Sequence, residues 1–273
     1  MSKILIERQG PVLAVTLNRP EARNAFDHDM VVTLRDVFAG AGTADDRPRA
    51  VLLQAAGATF CAGGDLNDMR RLGRAGRDEN LAAARELGEM FRAVRLCPAP
   101  VIARVQGGAF GGGVGLACAC DIVVAGPKAF FALTEARLGL VAGVISPLVI
   151  GRLGPARARL HCLLGERIDA REAHRIGLVD VLADGDDLDA AVDGVVRSLL
   201  QGGPEALGRI KELIEGAAAL PFADSLEYTA GMIAEARTTP QALAALDAFF
   251  AKEPSPWARD LEDWTRDREG RQP

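Results

Sequence analysis

Apolar positions recur along this chain with two different spacings, and the change from one spacing to the other marks out its elements. Residues 3 to 8 (KILIER) and 12 to 17 (VLAVTL) read as strands joined at Gly10 and Pro11, a hairpin signal. AVLLQA at 50 to 55 and VIARV at 101 to 105 are almost unbroken apolar runs, and DIVVA at 121 to 125 resembles them, as strands buried on both faces do. Helical spacing lies between them. Asp27 is placed to cap a helix running to about Ala39, and Leu81, Leu87, Met90, Phe91 and Val94 line one side of another that ends before Pro98. A helix is expected from about Gly154 to Leu164, and Asp169 caps a short one that stops at Gly177 and feeds LVDVL. After about residue 186 the strand pattern ends, and four helical segments follow, punctuated by Pro204, Pro221 and Pro240. The pattern predicts an α/β core of about 200 residues with a helical tail.

The stretch VQGGAFGGGVGLACACD, residues 105 to 121, carries six glycines where the flanking apolar runs place the core. Glycine inside an element costs roughly 0.5–1 kcal/mol relative to alanine, so the cluster gives up stability unless something approaches the main chain closely. It follows a strand and opens a helix near Gly111 or Gly112, and a helix start offers unpaired N–H groups and the positive end of a dipole. FCAGGDLNDM, residues 60 to 69, is a second glycine-rich turn between a strand and a helical pattern. Two main-chain donors from two such turns can bracket one carbonyl oxygen. Spacing alone fits two close-packed turns equally well. A dinucleotide loop does not fit, because Gly111 and Gly113 are followed by Leu116, and Gly113 and Gly115 by Cys118, so GxGxxG fails in both registers. Neither a GxxxxGK phosphate loop nor a GxSxG nucleophile elbow occurs.

Composition narrows the field further. The 273 residues are 49% hydrophobic and 25% charged, enough for a sizeable core in one large domain or a domain with an appendage. A net charge of -5, a pI near 5.4 and 5% aromatic residues argue against nucleic acid as a partner. No basic start precedes an apolar stretch and no apolar run reaches about 18 residues, so no membrane partner is expected and the expected location is cytoplasmic. Cys61, Cys97, Cys118, Cys120 and Cys162 lack CxxC spacing, and His28, His161 and His174 do not cluster with them, so no metal site is expected and the cysteines read as small buried hydrophobes.

NRPEARNAF (18–26), FCAGGDLNDM (60–69), VQGGAFGGGVGLACACD (105–121), TEARLGL (134–140) and IGLVD (176–180), in that order, resemble the crotonase, or enoyl-CoA hydratase/isomerase, superfamily over about residues 10 to 255. FGGGVGL with TEARLGL and the late FFAKEPSPW (249–257) is similar to bacterial hydratases acting on branched substrates such as 3-methylglutaconyl-CoA. The resemblance implies an α/β spiral of repeated ββα units over residues 1–200, carrying the acyl-CoA site, and a helical C-terminal region over 201–273 that assembles trimers or hexamers. It implies a thioester enolate held by the backbone N–H groups matching Gly64 and Gly112. It also implies contacts to coenzyme A from the main chain around Arg23 and Ala25, with Ala62, Asp65 and Leu66. Coenzyme A is then part of the substrate, and no cofactor is implied.

Of the two glutamates found in the best-known hydratases, one matches Glu135, which exchanges a proton beside the thioester. The other would fall at Gly115, where no carboxylate exists. Facing an apolar acyl pocket, Glu135 is expected to have its pKa raised by desolvation; the alternative is a surface pair with Arg137. One carboxylate serves a hydratase or a Δ3,Δ2-enoyl-CoA isomerase, with hydration ranked first, and a non-catalytic acyl-CoA binder is the reading from another class. Loss of the side chain at 115 is expected to leave room for a branched acyl group. An aspartyl nucleophile is excluded because residues 140 to 155 hold neither Asp nor Glu. Cysteine attack is unsupported, since no nearby histidine activates Cys118 or Cys120.

Overall fold

A computed structural model describes residues 2–41, 47–185 and 187–269. Strands β1 (Ile4–Gln9) and β2 (Val12–Leu17) form the expected antiparallel hairpin, with Gly10 taking the positive φ of 53° that its turn requires. Helix α1 (His28–Gly40) starts at Asp27, whose carboxylate accepts the Met30 N–H at 3.1 Å. Three units of two strands and a helical segment then follow. The first is β3 (Ala50–Ala55) and β4 (Thr59–Cys61) with α2 (Leu66–Leu72) and α3 (Arg77–Arg95). The second is β5 (Val101–Val105) and β6 (Gly108–Phe110) with α4 (Gly112–Ala119). The third is β7 (Ile122–Ala125) and β8 (Phe130–Ala132) with α5 (Ser146–Leu164), and β9 (Ile168–Asp169), α6 (Ala170–Arg175) and β10 (Val181–Leu182) close the core.

In each unit the long apolar strand joins one sheet and the short one the other. The six-stranded sheet has the order β1-β2-β3-β5-β7-β10, and the four-stranded sheet has the order β4-β6-β8-β9. From β2 onward every pairing in the larger sheet is parallel, which explains the continuous apolar runs of β3, β5 and β7. Helix α5 begins eight residues before the expected start at Gly154, which interrupts it at φ 73°. Cys61, Cys97, Cys118 and Cys120 are buried free thiols, and Cys162 is half-buried.

The tail departs from expectation in number and path. Among the described residues five helices follow residue 186, not four: α7 (Leu188–Leu200), α8 (Pro204–Ala219), α9 (Phe222–Arg237), α10 (Pro240–Ala251) and α11 (Ala258–Glu269). Leu188, Val192, Val196 and Leu200 of α7 pack with Trp264 of α11 on Val12, Ala50, Leu52, Ile102 and Val124, covering the second face of the larger sheet. Trp264 donates its ring N–H to Asp193 at 2.7 Å, and Arg49 pairs with Asp260. Helix α11 escaped notice because ARDLEDWTRDRE is mostly charged and offers only Leu261 and Trp264 to a core. By contrast, α8, α9 and α10 bury no residue fully and leave Ile214, Phe222, Leu226, Phe249 and Phe250 exposed. Among the described residues, no helix is long and apolar enough to cross a membrane.

Candidate active site

The two glycine turns meet at the carboxyl ends of the parallel strands, around a cleft of about 390 Å3. The first turn follows β4. There the Gly63 carbonyl accepts the Phe26 N–H at 2.9 Å and the Asp65 N–H donates to the Phe26 carbonyl at 3.0 Å. Because the Gly63–Gly64 peptide is trans and planar, its oxygen and hydrogen point in opposite directions, so the bond to Phe26 turns the Gly64 N–H away from Phe26. The second turn follows β6. The Gly111 carbonyl accepts from the Val114 and Gly115 N–H groups at 2.9 and 3.1 Å and so faces into α4, which turns the Gly112 N–H out of the helix start.

Gly63 and Gly111 adopt φ of 85° and 47°, which explains a glycine at each bend. A Cβ at Gly63 would lie 3.1 Å from Gly112 N and 2.8 Å from the Phe110 carbonyl, so the two turns touch with no room for a side chain between them. Gly64 and Gly112 both line the cleft, and among the described residues neither N–H has a protein acceptor. The cleft therefore offers two oriented, unspent donors beside one another.

Glu135 opens a short 3-10 turn, Glu135–Leu138, just after β8. Its carboxylate lies against Gly111, with Oε2 buried and without a hydrogen-bond partner among the described residues. Burial pushes its pKa above the ordinary glutamate value of 4.5, opposed only by its own backbone N–H. Arg137 does not pair with it and donates to the Leu164 carbonyl at 3.4 Å.

Arg23 is exposed at the cleft mouth with φ 53°, and its carbonyl accepts the Ala62 N–H at 3.0 Å. Ala25, Ala62, Asp65 and Leu66 line the same cleft. The Asp65 side chain is already engaged: it caps α2 through the Asn67 N–H at 2.8 Å and accepts from Arg19 at 2.7 Å. The Arg19 guanidinium holds that carboxyl below the usual carboxylate range. Asp65 thus presents main chain to the cleft. Leu66 is 65% exposed, and with Met69, Phe110, Leu138 and Leu140 it makes the cleft wall apolar.

Gly115 requires a correction. It is buried on α4 and does not line the cleft. A Cβ there would overlap the Ile145 side chain and lie 3.3 Å from Phe91, so the room expected beside it is filled.

Sequence reasoning also passed over Asn24 and Arg19. Asn24 is fully buried with φ 56°; its amide donates to the carbonyls of Ala56 and Thr59 at 2.8 Å each and accepts the Arg19 N–H at 2.8 Å. The signal was an asparagine in a turn, a residue that tolerates the left-handed conformation and bonds nearby backbone. A larger cavity of about 760 Å3 lies at the opposite ends of the strands, between α8 and Pro98–Ala99. It contains neither glycine turn, and of its charged lining residues Arg95 pairs with Glu215 and Lys211 with Asp121.

Strand pairs split between two sheets, each followed by a helical segment, with a helical C-terminal region, make up the crotonase fold. A crystal structure of an enoyl-CoA hydratase/isomerase from Marinobacter aquaeolei superposes with a TM-score of 0.88 at 35% identity, covering 94% of this chain and 99% of that one. The short-chain-enoyl-CoA hydratase of Clostridium acetobutylicum is 30% identical over 92% of this chain and 96% of its own. The 1,2-epoxyphenylacetyl-CoA isomerase of Escherichia coli is 34% identical over 80% of this chain and 83% of its own. Residues 7–260 match the model of the enoyl-CoA hydratase/isomerase family, and the chain belongs to that family.

Proposed function

We propose that the protein adds water to the double bond of a 2-enoyl-CoA thioester, with Glu135 as the single acid and base. The observation that carries this reading is the half-buried Glu135, whose Oε2 is shut from solvent without a partner among the described residues, beside the unspent N–H groups of Gly64 and Gly112. Glu135 takes a proton from water as the water oxygen bonds to C3 of the acyl group. The electron pair of the C2–C3 bond moves to the thioester oxygen, where the two amides hold the charge. Protonated Glu135 then delivers its proton to C2 and the carbonyl re-forms. As written, the step needs no metal or redox cofactor. The backbone around Arg23, Ala25, Ala62, Asp65 and Leu66 takes the coenzyme A part of the substrate.

Isomerisation is the second reading, favoured by one observation: among the described residues, no free side-chain carboxylate other than Glu135 lines the cleft. A single carboxylate can move a proton from C2 to C4 of a 3-enoyl thioester. For the acyl group, similarity to hydratases of branched substrates such as 3-methylglutaconyl-CoA now stands without support from space at Gly115, and the apolar wall of Met69, Phe110, Leu138 and Leu140 fits a hydrocarbon chain. The exposed apolar residues of α8, α9 and α10 support assembly into trimers or hexamers, which light scattering on the purified protein checks.

Incubation of wild type and Glu135→Gln with 2-enoyl and 3-enoyl CoA esters, followed by mass analysis, separates the readings. A product heavier by one water marks a hydratase, and an unchanged mass with a moved double bond marks an isomerase. Binding without either product marks an acyl-CoA binder and overturns both.

A further inference from the structure

Cys61 ends β4 directly beneath the two glycine turns and is fully buried. Its Sγ donates to the Asn24 carbonyl at 3.1 Å and accepts the Gly63 N–H at 3.3 Å. Burial pushes the thiol up to about 12, so it keeps its proton for Asn24 throughout the neutral range. On its other side, a Cβ at Gly113 would lie 2.9 Å from Cys61 Cβ and would overlap the Cys61 carbonyl, so the first turn of α4 rests directly on this residue. Three segments therefore converge on Cys61: the Asn24 turn at the cleft mouth, the turn carrying Gly64, and the helix start carrying Gly112.

We propose that Cys61 is a positioning residue whose thiol fixes the Ala62–Gly63 peptide, next to the one that bears the Gly64 N–H, while its backbone and β-carbon seat Gly113, so that this one residue sets how the Gly64 and Gly112 amides stand relative to each other. The proposal rests on the reading of those amides as an oxyanion site. Gly63 is anchored at both of its polar groups, its N–H by the thiol and its carbonyl by Phe26. Removing the sulfur leaves the buried N–H of the Ala62–Gly63 peptide without an acceptor, and as that peptide turns it carries with it, through the Gly63 Cα, the following peptide that bears the Gly64 N–H. Small misplacements of such donors weaken transition-state binding far more than substrate binding.

Two readouts test this. The first is kcat and KM on a 2-enoyl-CoA substrate. The second is the absorbance of a dialkylaminocinnamoyl thioester of coenzyme A, whose band moves to longer wavelength when donors polarise its carbonyl. Cys61→Ala is expected to lower kcat by roughly 10- to 100-fold with KM near wild type, and to shrink the shift of the bound probe. Cys61→Val, which keeps an apolar side chain and removes both hydrogen bonds, gives the same losses. Cys61→Ser, which retains a donor and an acceptor, recovers most of both.

Full kcat and full probe shift in the Ala or Val variant overturn the proposal, and a lowered melting temperature alone, with both readouts intact, assigns Cys61 to packing and overturns it too. A wild-type protein that binds the probe without any shift refutes the oxyanion reading itself. That result is distinct, because wild type and variants are then alike.

Discussion

Glu135 rests its carboxylate on the backbone of Gly111: a methyl group at position 111 would stand 2.8 Å from Oε1 and 3.3 Å from Cδ. The proposed proton-transferring group and the start of α4, with the proposed donor Gly112, are thereby built against each other. Gly111→Ala displaces the carboxylate and strains a residue held at φ 47°. The expected cost is about 1–2 kcal/mol of stability and a fall in turnover of roughly tenfold or more. Thermal melting and initial rates measure the two effects, and a variant with wild-type turnover would show that Glu135 does not depend on this contact.

Glu135→Gln is expected to lower turnover on the order of 10²-fold or more. Wild-type kcat/KM should decline on the acid side with a midpoint above the ordinary glutamate value of 4.5, because burial raises this pKa. The stability effect has the opposite sense to the activity effect. A carboxyl whose pKa is raised in the fold contributes stability below its unfolded value, and that contribution is lost as pH rises through the folded value. Glu135→Gln should therefore melt at a higher temperature than wild type at about pH 8, with the gap closing towards about pH 4. An inactive variant no more stable than wild type at the higher pH contradicts the burial of charge.

The long strands were legible where one spacing held for five or more residues, as in AVLLQA and VIARV, while the ββα unit was implied only by the family resemblance, whose motifs bring Gly64, Gly112 and Glu135 to one cleft. The short strands β4, β6 and β8 were not legible, because three residues such as Thr59–Cys61 are too few to show a period. Gly115 misled for a related reason. A missing side chain reads as space in one dimension, and only the packed chain shows Ile145 filling it. The roles of Asn24 and Cys61 rest on partners far away in the sequence, the Thr59 carbonyl for the Asn24 amide and the Asn24 carbonyl for the Cys61 thiol, which composition does not encode.

Asn24→Ala removes three side-chain hydrogen bonds at a buried position with φ 56°. The expected loss is about 3 kcal/mol of stability. Because the turn carries Arg23 and Ala25, KM for the CoA ester should rise more than kcat falls. Urea titration and steady-state kinetics check these, and an unchanged KM removes this turn from the substrate's binding surface.

Gly115→Glu will not restore a second catalytic carboxylate. The new side chain runs into Ile145 and Phe91, at an expected cost of about 2 kcal/mol or more from overpacking and buried charge. Adding Ile145→Ala should recover part of that loss. A single Gly115→Glu variant as stable as wild type and faster on 2-enoyl thioesters would show that α4 can turn this position to the cleft.

Trp264→Ala opens a hole where α7 and α11 cover the larger sheet and leaves Asp193 without its ring N–H partner. A loss of about 3–5 kcal/mol is expected, read from chemical unfolding. A small loss would mean that α11 contributes little to closing that face.

The pairing of Arg49 with Asp260 joins positions 211 apart, and Trp264 seals the same face. During synthesis, Arg23, Gly64, Gly112 and Glu135 have all left the ribosome while Val12, Leu52 and Ile102 still await their last cover. The nascent chain thus passes through an interval in which every residue of the proposed site is present and one greasy sheet face is incompletely covered. Aggregation during expression should concentrate in that interval, and chaperone demand should be set by α11, the helix least concerned with the reaction.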